Sequence, residues 1–429
     1  MVLKGRKGVG FINSTLTFPV GLGTTIRPRC AYDEPVTNRF NATAFLGRLS
    51  VLALAVLGVR DTSGLLDLGA RLLPIFIFVI AISVVVNVSS QVGLFEEAVA
   101  RLEKLAPQHR VARPVILWIL LVFVAVVVTV FLSLDTTAVM ITALAIPLAR
   151  RNKIPVVGVA FAVVWIANVA SLPLPVSNLT NLLALSSNAF SGTFDYLSHS
   201  WKPALCAIVL VIAAAAILTL YHAQASPHRD DYTSTATSAN YQHRRLLIIC
   251  AIVVGVLMPV LASPVPYWLS STIAAIIVLL ACIPRNRELV TVDLVPCNSL
   301  LLVTVISAIA AVVHSTGVAT WLGTLTPDNP SSFAELVSIA GAGGITANLM
   351  NNIPAFLFLE PIVSTPASYI ALLIGVNAAP IITPWASLAT LLWHDQLRRA
   401  KVTISWKSFI LLGIILAPVV VLLPTAMLG

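Results

Sequence analysis

Two stretches of this chain place a polar, proline-containing break inside a helix-length apolar run. The first covers residues 168–183, NVASLPLPVSNLTNLL, and follows the apolar run 154–167. A membrane-embedded backbone cannot leave its N–H and C=O groups unpaired, so such a break is tolerated mainly where it lines a cavity. Discontinuous helices of this kind hold the substrate in many secondary transporters. For a single break, an ordinary proline kink is the alternative interpretation.

A second break covers residues 377–392, NAAPIITPWASLATLL, and the two windows align without a gap. Asn168 falls on Asn377, and Pro175 falls on Pro384. A polar tip inside apolar sequence precedes each break, LDTTA at 134–138 and NNIPA at 351–355. Weak internal symmetry of paired broken segments is the best sequence indication of a transporter's binding site.

Composition identifies the class of protein. The chain is 58% apolar and only 10% charged, whereas soluble domains carry about 25% charged residues. We therefore expect a polytopic helical membrane protein. The formal net charge of +9 then indicates basic inner loops and not nucleic-acid binding. The five cysteines show neither metal-ligand spacing nor a disulfide framework, and no cofactor is implied.

The sequence predicts apolar segments at about 44–59, 72–91, 114–133, 136–149, 154–188 (broken), 203–222, 246–263, 265–283, 297–316, 332–350, 353–363, 368–393 (broken) and 406–426. The pieces at 136–149 and 353–363 are too short to span a bilayer, which takes about 20 residues. Each follows a polar tip. We therefore expect re-entrant hairpins at 114–149 and 332–363. The stretch 94–105 has helical spacing and is predicted to lie along the membrane interface.

Charge distribution supports this topology. With a cytoplasmic N-terminus and hairpins that return to their own side, the outer loops hold only Arg60, Arg71 and Lys202, as the positive-inside rule requires. The predicted fold is all-α, with inverted five-element repeats that each contain a re-entrant hairpin and a broken transmembrane helix. The predicted domains are a basic tail (1–42), a first repeat (43–222), a cytoplasmic linker with a connecting helix (223–264) and a second repeat (265–429).

Asp135 is the candidate for proton coupling. An ionisable side chain within the membrane is costly and is a functional hypothesis by default. Burial disfavours the charged carboxylate, so this group could take up and release a proton during a transport cycle. A structural acid bonded to backbone amides is the alternative. Glu360 is expected to be an acid near the membrane surface.

An amide- and hydroxyl-rich set gathers at the tips and breaks. Such groups need partners in lipid, so each could join helices, but as a set they favour a shared cavity. The predicted solute-binding residues are Thr136, Thr137, Asn168, Ser171, Ser177, Asn178, Asn351, Asn352, Asn377, Thr383 and Ser387. Half-helix N-termini at the same places would offer backbone donors to an oxygen-bearing solute.

These motifs resemble a known family. The segments SLPLPVSNLTNLL (171–183), LMNNIPA (349–355) and ITPWASLATLLW (382–393) followed by VTISW (402–406) are similar to those of the ArsB family of arsenite and antimonite efflux proteins. That family belongs to a superfamily with sodium/proton antiporters and dicarboxylate carriers. The resemblance implies export of trivalent arsenic or antimony hydroxides, driven by proton antiport or by a soluble ATPase partner.

This chain departs from the family at both breaks. Asn168 stands where the family has an aspartate, and Asn377-Ala378-Ala379-Pro380-Ile381 replaces the family's acidic, lysine-containing motif D-x-G-P-K. Because fewer acids remain at the breaks, Asp135 becomes more important for any proton coupling.

The expected function is that of a metalloid exporter in a bacterial inner membrane. Arsenite is a small neutral trihydroxide that an amide-lined cavity can bind through hydrogen bonds. The alternatives are a sodium/proton antiporter or organic-anion carrier on the same fold, and a membrane subunit that docks a soluble ATPase. The expected partners are the lipid bilayer, the solute and protons, with a homodimer as an option. No H-E-x-x-H or G-x-S-x-G motif supports an enzyme.

Overall fold

Helices build the part of the chain that the structure, a computed structural model, describes. The described residues are 42–428 without 108, 110–111, 188, 226–243, 284–286, 292–293 and 325–329, and no β-strand occurs among them. Eight of the described helices are long and apolar enough to span a bilayer. The prediction of an all-α polytopic membrane protein is therefore confirmed. Residues 1–41 of the predicted tail and residues 226–243 of the predicted linker lie outside the described residues.

The helices follow one another in an order close to that of the predicted segments. In the first half they are α1 (Ala42–Arg60), α2 (Thr62–Gln91), α3 (Leu94–Leu105), α4 (Ala112–Phe131), α5 (Leu134–Thr136), α6 (Thr142–Arg151), α7 (Val156–Val169), α8 (Leu179–Leu185) and α9 (Thr193–Ala225). In the second half they are α10 (Arg244–Leu261), α11 (Tyr267–Cys282), α12 (Cys297–Val313), α13 (Ala319–Gly323), α14 (Phe333–Met350), α15 (Asn352–Leu359), α16 (Pro366–Ala378), α17 (Leu388–Arg399) and α18 (Trp406–Thr425).

The first predicted hairpin is present, with a longer second arm than expected. Helix α4 leads to a tip at 132–133, and α5, a π-helical turn (Thr137–Ile141) and α6 form the returning arm. Both arms end on the same face of the protein, because Arg113 at the start of α4 donates to Asn152, directly after α6, at 3.0 Å. Arg113 and Arg151 also contact Glu103 of α3. We call this the basic face.

The second predicted hairpin and both broken helices are also present. Helix α14 packs against the short arm α15 across a tip at Asn351. The first broken helix consists of α7 and α8, separated by residues 170–178, and the second of α16 and α17, separated by residues 379–387. Proline lacks an N–H and clashes with the preceding turn, which explains why each helix stops ahead of its prolines. The inverted relation of the two halves remains a prediction.

One predicted boundary is wrong in a way that matters for the site. Helix α2 begins at Thr62, ten residues before the predicted segment at 72–91. Asp61 caps α2 by accepting from the Gly64 N–H at 2.8 Å, which starts the helix early. Arg71, expected in an outer loop, therefore lies within this helix.

The helices pack as two groups. Helices α1, α2, α10, α11 and α12 contact one another, and we call them the scaffold group. The hairpins, the broken helices, α9 and α18 contact one another, and we call them the core group. Small residues allow close approach within the core group: a Cβ added at Gly375 of α16 would overlap the Ala340 carbonyl oxygen of α14. Such small-residue contacts are typical of membrane helices.

Candidate functional site

The tip of the first hairpin presents a half-helix N-terminus with a carboxylate in its first turn. Ser133 caps α5 by accepting from the Thr136 N–H at 3.1 Å, and its hydroxyl lies 2.9 Å from the Thr136 hydroxyl. The Asp135 side chain faces a cavity at this tip. Thr137, by contrast, turns to the other arm, where its hydroxyl lies 2.8 Å from that of Thr129.

The first break is held by its own polar side chains. Asn181 donates to the carbonyl oxygens of Ser171 and Leu174, at 2.6 and 3.0 Å. Ser177 donates to the Val130 carbonyl of the first hairpin at 2.6 Å. Two carbonyls of the interrupted helix, those of Ser171 and Leu174, are thereby satisfied, as burial in a membrane requires.

Asn377 joins the two breaks. Its side-chain oxygen Oδ1 accepts from Asn178 Nδ2 at 3.0 Å and from the Thr180 hydroxyl at 2.8 Å. Its Nδ2 donates to Asn181 Oδ1 at 2.8 Å. The aligned residue Asn168 instead donates to the Val164 carbonyl of its own helix at 2.9 Å. The two aligned asparagines therefore have different roles.

The tip of the second hairpin is fastened to the second break. Asn351 has a positive φ of 90°, which a short polar residue tolerates better than most, and its Nδ2 donates to the Trp385 carbonyl at 2.9 Å. The Asn352 N–H donates to the Ala386 carbonyl at 3.0 Å. Asn348, which the sequence did not single out, accepts from both the N–H and the hydroxyl of Thr383.

A cavity of about 510 Å³ lies between the scaffold group and these tips and breaks. Seven of the predicted solute-binding and coupling residues line it: Asp135, Thr136, Ser177, Asn178, Asn351, Asn352 and Ser387. Five do not: Thr137, Asn168, Ser171, Asn377 and Thr383. The latter hold the tips and breaks in place through the hydrogen bonds described above and through Ser171, which donates to the Asn168 carbonyl at 2.7 Å.

The described cavity lining contains a negative charge and no positive one. Asp135 is the ionisable residue in its lining, and no lysine, arginine or histidine is among the described residues that surround it. No hydrogen bond or ion pair joins the Asp135 carboxylate to another residue in the described ranges. The fully buried Ser387 hydroxyl, also in the lining, has no recorded partner either. The site therefore offers one carboxylate and several neutral hydrogen-bonding groups.

Sequence reasoning missed the part of the lining that comes from the scaffold group. Ser83 and Asn87 of α2 and Ser299 of α12 face the cavity. Ser83 and Asn87 lie one helical turn apart in the part of α2 from 72 to 88, which is otherwise apolar, and this polar pair could have been recognised. Sequence reasoning also missed the ion pair between Glu360 and Arg71, because the two residues are far apart in the sequence and share no motif.

Comparison with known proteins finds relatives that are named as transporters or pump membrane proteins. A family profile described as "CitMHS: Citrate transporter" matches residues 38–390. The arsenical pump membrane protein of Escherichia coli K12 is 26% identical over 403 residues, covering 87% of this chain and 89% of that protein. A protein of the same name from Yersinia enterocolitica is 27% identical over 367 residues, covering 80% and 82%.

A solved structure has a similar fold. The crystal structure of the Alcanivorax borkumensis YdaH transporter matches with a TM-score of 0.56 and 17% sequence identity. The match covers 90% of this chain and 97% of that protein. At this identity the likeness concerns the fold alone, and it agrees with the helical membrane architecture described above.

Proposed function

Since this chain belongs to the CitMHS family of citrate transporters, we propose that it is a secondary active transporter that exports arsenite and antimonite by proton antiport. Relatives that match most of the chain carry the name arsenical pump membrane protein. The bilayer is the inner membrane of a bacterium, with the basic face and the N-terminus on the cytoplasmic side, as the positive-inside rule favours.

The lack of positive charge in the described cavity lining is the observation that carries this proposal. Citrate would bring up to three carboxylates into a site that holds a carboxylate and no cation, and an unpaired buried charge is strongly unfavourable. A neutral trihydroxide has no such cost. It can donate to Asp135 and to the amide oxygens, and accept from the amide N–H groups of Asn178 and Asn352.

Asp135 is the group that carries the coupling proton. Its carboxylate faces the cavity without a recorded partner among the described residues, so no fixed ion pair opposes protonation. A solute that donates hydrogen bonds favours the ionised form, whereas burial without such donors favours the protonated one. Solute and proton then exclude each other, which is the requirement for antiport. The core group moves against the scaffold group to expose the site alternately to each side.

An organic-anion carrier is the second candidate, because the family description names citrate. A sodium/proton antiporter on this fold would need more oxygen ligands around one ion than Asp135 supplies. A role as docking subunit for a soluble ATPase, and assembly as a homodimer, are compatible with the same cavity. Transport assays without any added partner separate the carrier alternatives from the role as a docking subunit.

The test is arsenite uptake into everted membrane vesicles that contain this chain and no ATPase, driven by an inside-acid proton gradient. We expect uptake that a protonophore abolishes and that excess citrate leaves unchanged. Asp135→Asn should abolish gradient-driven uptake without loss of folded protein, whereas Asp67→Asn, which removes an exposed carboxylate on α2, should retain it. Citrate transport by folded protein would favour the second candidate. Undiminished gradient-driven uptake by Asp135→Asn would remove its coupling role.

A further inference from the structure

A group of charged and polar contacts connects the scaffold group to the core group in the half of α2 that is farther from the basic face. Arg71 of α2 donates to Glu360, just after α15, through Nη1 at 3.0 Å and Nη2 at 2.5 Å. It also donates through Nη2 to the Leu183 carbonyl at 2.7 Å and through Nε to the Ser186 hydroxyl at 2.8 Å. We call these four residues the Arg71 clamp.

The clamp joins the scaffold to both halves of the core group. Arg71 belongs to the scaffold group, Leu183 and Ser186 belong to the end of the first broken helix, and Glu360 follows the short arm of the second hairpin. A cation at the end of α8 also interacts favourably with the carbonyls of that helix terminus. Only a guanidinium supplies the planar set of donors that these partners require, so lysine could not replace it fully.

Along α2, the clamp lies farther from the basic face than the cavity does. The nearest cavity-lining residue on α2 is Phe78, about 10 Å further along the helix at 1.5 Å per residue. From there the lining continues along α2 to Asn87, near the end of the helix on the basic side. Between the clamp and the cavity, Leu72 and Ile75 are buried. Along α2 the cavity lining therefore extends toward the basic face, and buried apolar side chains separate it from the clamp.

We propose that the Arg71 clamp closes the cavity on the face opposite the basic face, and that release of solute there requires the clamp to open. The proposal rests on the transport function inferred above. Arg71 is a positioning residue, since it touches no part of the cavity. Its side chain is 24% exposed and that of Glu360 15%, so the pair is shielded from most of the solvent. A shielded pair holds its partners more firmly than a fully exposed one.

The test measures access to the cavity and needs neither arsenite nor a proton gradient. Ser83→Cys places a thiol in the cavity lining, in a chain whose native cysteines are replaced by serine or alanine. A membrane-impermeant maleimide is added to vesicles of either orientation. We expect fast labelling from the basic face and slow labelling from the opposite face. Arg71→Gln and Glu360→Gln should each raise the labelling rate from the opposite face about tenfold. Losing a hydrogen bond to a charged group shifts an equilibrium by about this factor.

Two controls separate closure from general loosening. Arg60→Gln removes an exposed arginine at the end of α1 and should leave both labelling rates unchanged. Arg71→Lys should raise the labelling rate less than Arg71→Gln does, because lysine keeps the positive charge beside Glu360 and the α8 carbonyls but lacks the planar set of donors. If Arg71→Gln does not fold, Arg71→Lys and Glu360→Asp are used in its place. Each keeps both charges but disturbs the paired hydrogen bonds between the two side chains, so each should give a smaller increase in the labelling rate.

Unchanged labelling from the opposite face in Arg71→Gln and Glu360→Gln, with normal labelling from the basic face, would overturn the proposal. An equal increase with Arg60→Gln would do the same, since the effect would then not depend on the clamp. Increased labelling in a parent protein that transports no arsenite would support the clamp and refute only the identity of the solute.

Discussion

Replacing Asn377 by alanine tests the central structural claim, that one side chain joins the two broken helices. The change removes three hydrogen bonds, two accepted from Asn178 and Thr180 and one donated to Asn181. Asn168→Ala is the matched control. Asn168 occupies the aligned position in the first break and is equally buried, with 1% of its surface exposed against 2% for Asn377. It makes its side-chain bond within its own helix.

The expected loss of stability follows from the partners left behind. Hydrogen bonds between membrane helices average about 0.6 kcal/mol each, so three contribute about 2 kcal/mol. Asn178 keeps a weaker contact with the Ser171 hydroxyl at 3.4 Å, but Asn181 Oδ1 and the Thr180 hydroxyl lose their recorded partners. Because these two unpaired buried groups cost about 1–3 kcal/mol each, we expect a total loss of about 2–6 kcal/mol. Asn168→Ala should cost less than about 1 kcal/mol.

The assay is equilibrium unfolding of the purified protein in mixed detergent micelles, followed by tryptophan fluorescence. The free energy of unfolding should fall clearly for Asn377→Ala and little for Asn168→Ala. Similar losses for both variants would refute the reasoning, because the two side chains would then contribute equally despite their different partners. A small loss for both would show that the bonds between the breaks add little to stability.

Two further changes test other parts of the fold. Gly375→Ala should destabilise the protein by about 1–3 kcal/mol, because its Cβ would overlap the Ala340 carbonyl, whereas Gly341→Ala, with open space at its Cβ, should be neutral or slightly stabilising in thermal unfolding. Asp61, between α1 and α2, has a pKa lowered by its bond to the Gly64 N–H. Its ionised cap therefore stabilises the fold above the unfolded pKa of 3.8 and loses this effect as the pH falls through the lowered folded pKa. The difference in melting temperature between the protein and Asp61→Asn should shrink on acidification, and a difference independent of pH would contradict this.

Much of the site could be predicted because its signals are local. Proline positions and polar tips located both hairpins and both breaks, and seven predicted residues lie in the cavity lining. The starting point of α2 was missed because Asp61 sets it through a cap, while the apolar pattern begins only later. The contribution of α2 and α12 to the cavity was missed because Ser83, Asn87 and Ser299 stand in apolar segments that contain no proline-containing break.

The sequence by itself determined that the chain crosses a membrane, where its helices break and which residues gather at the breaks. These follow from hydropathy, proline chemistry and the need to satisfy backbone groups in lipid. Only the tertiary structure decided that Asn377 reaches the other break while Asn168 does not, and that Arg71 pairs with Glu360. The physical reason is that membrane helices are apolar on all sides, so their sequence pattern does not reveal which face meets which neighbour.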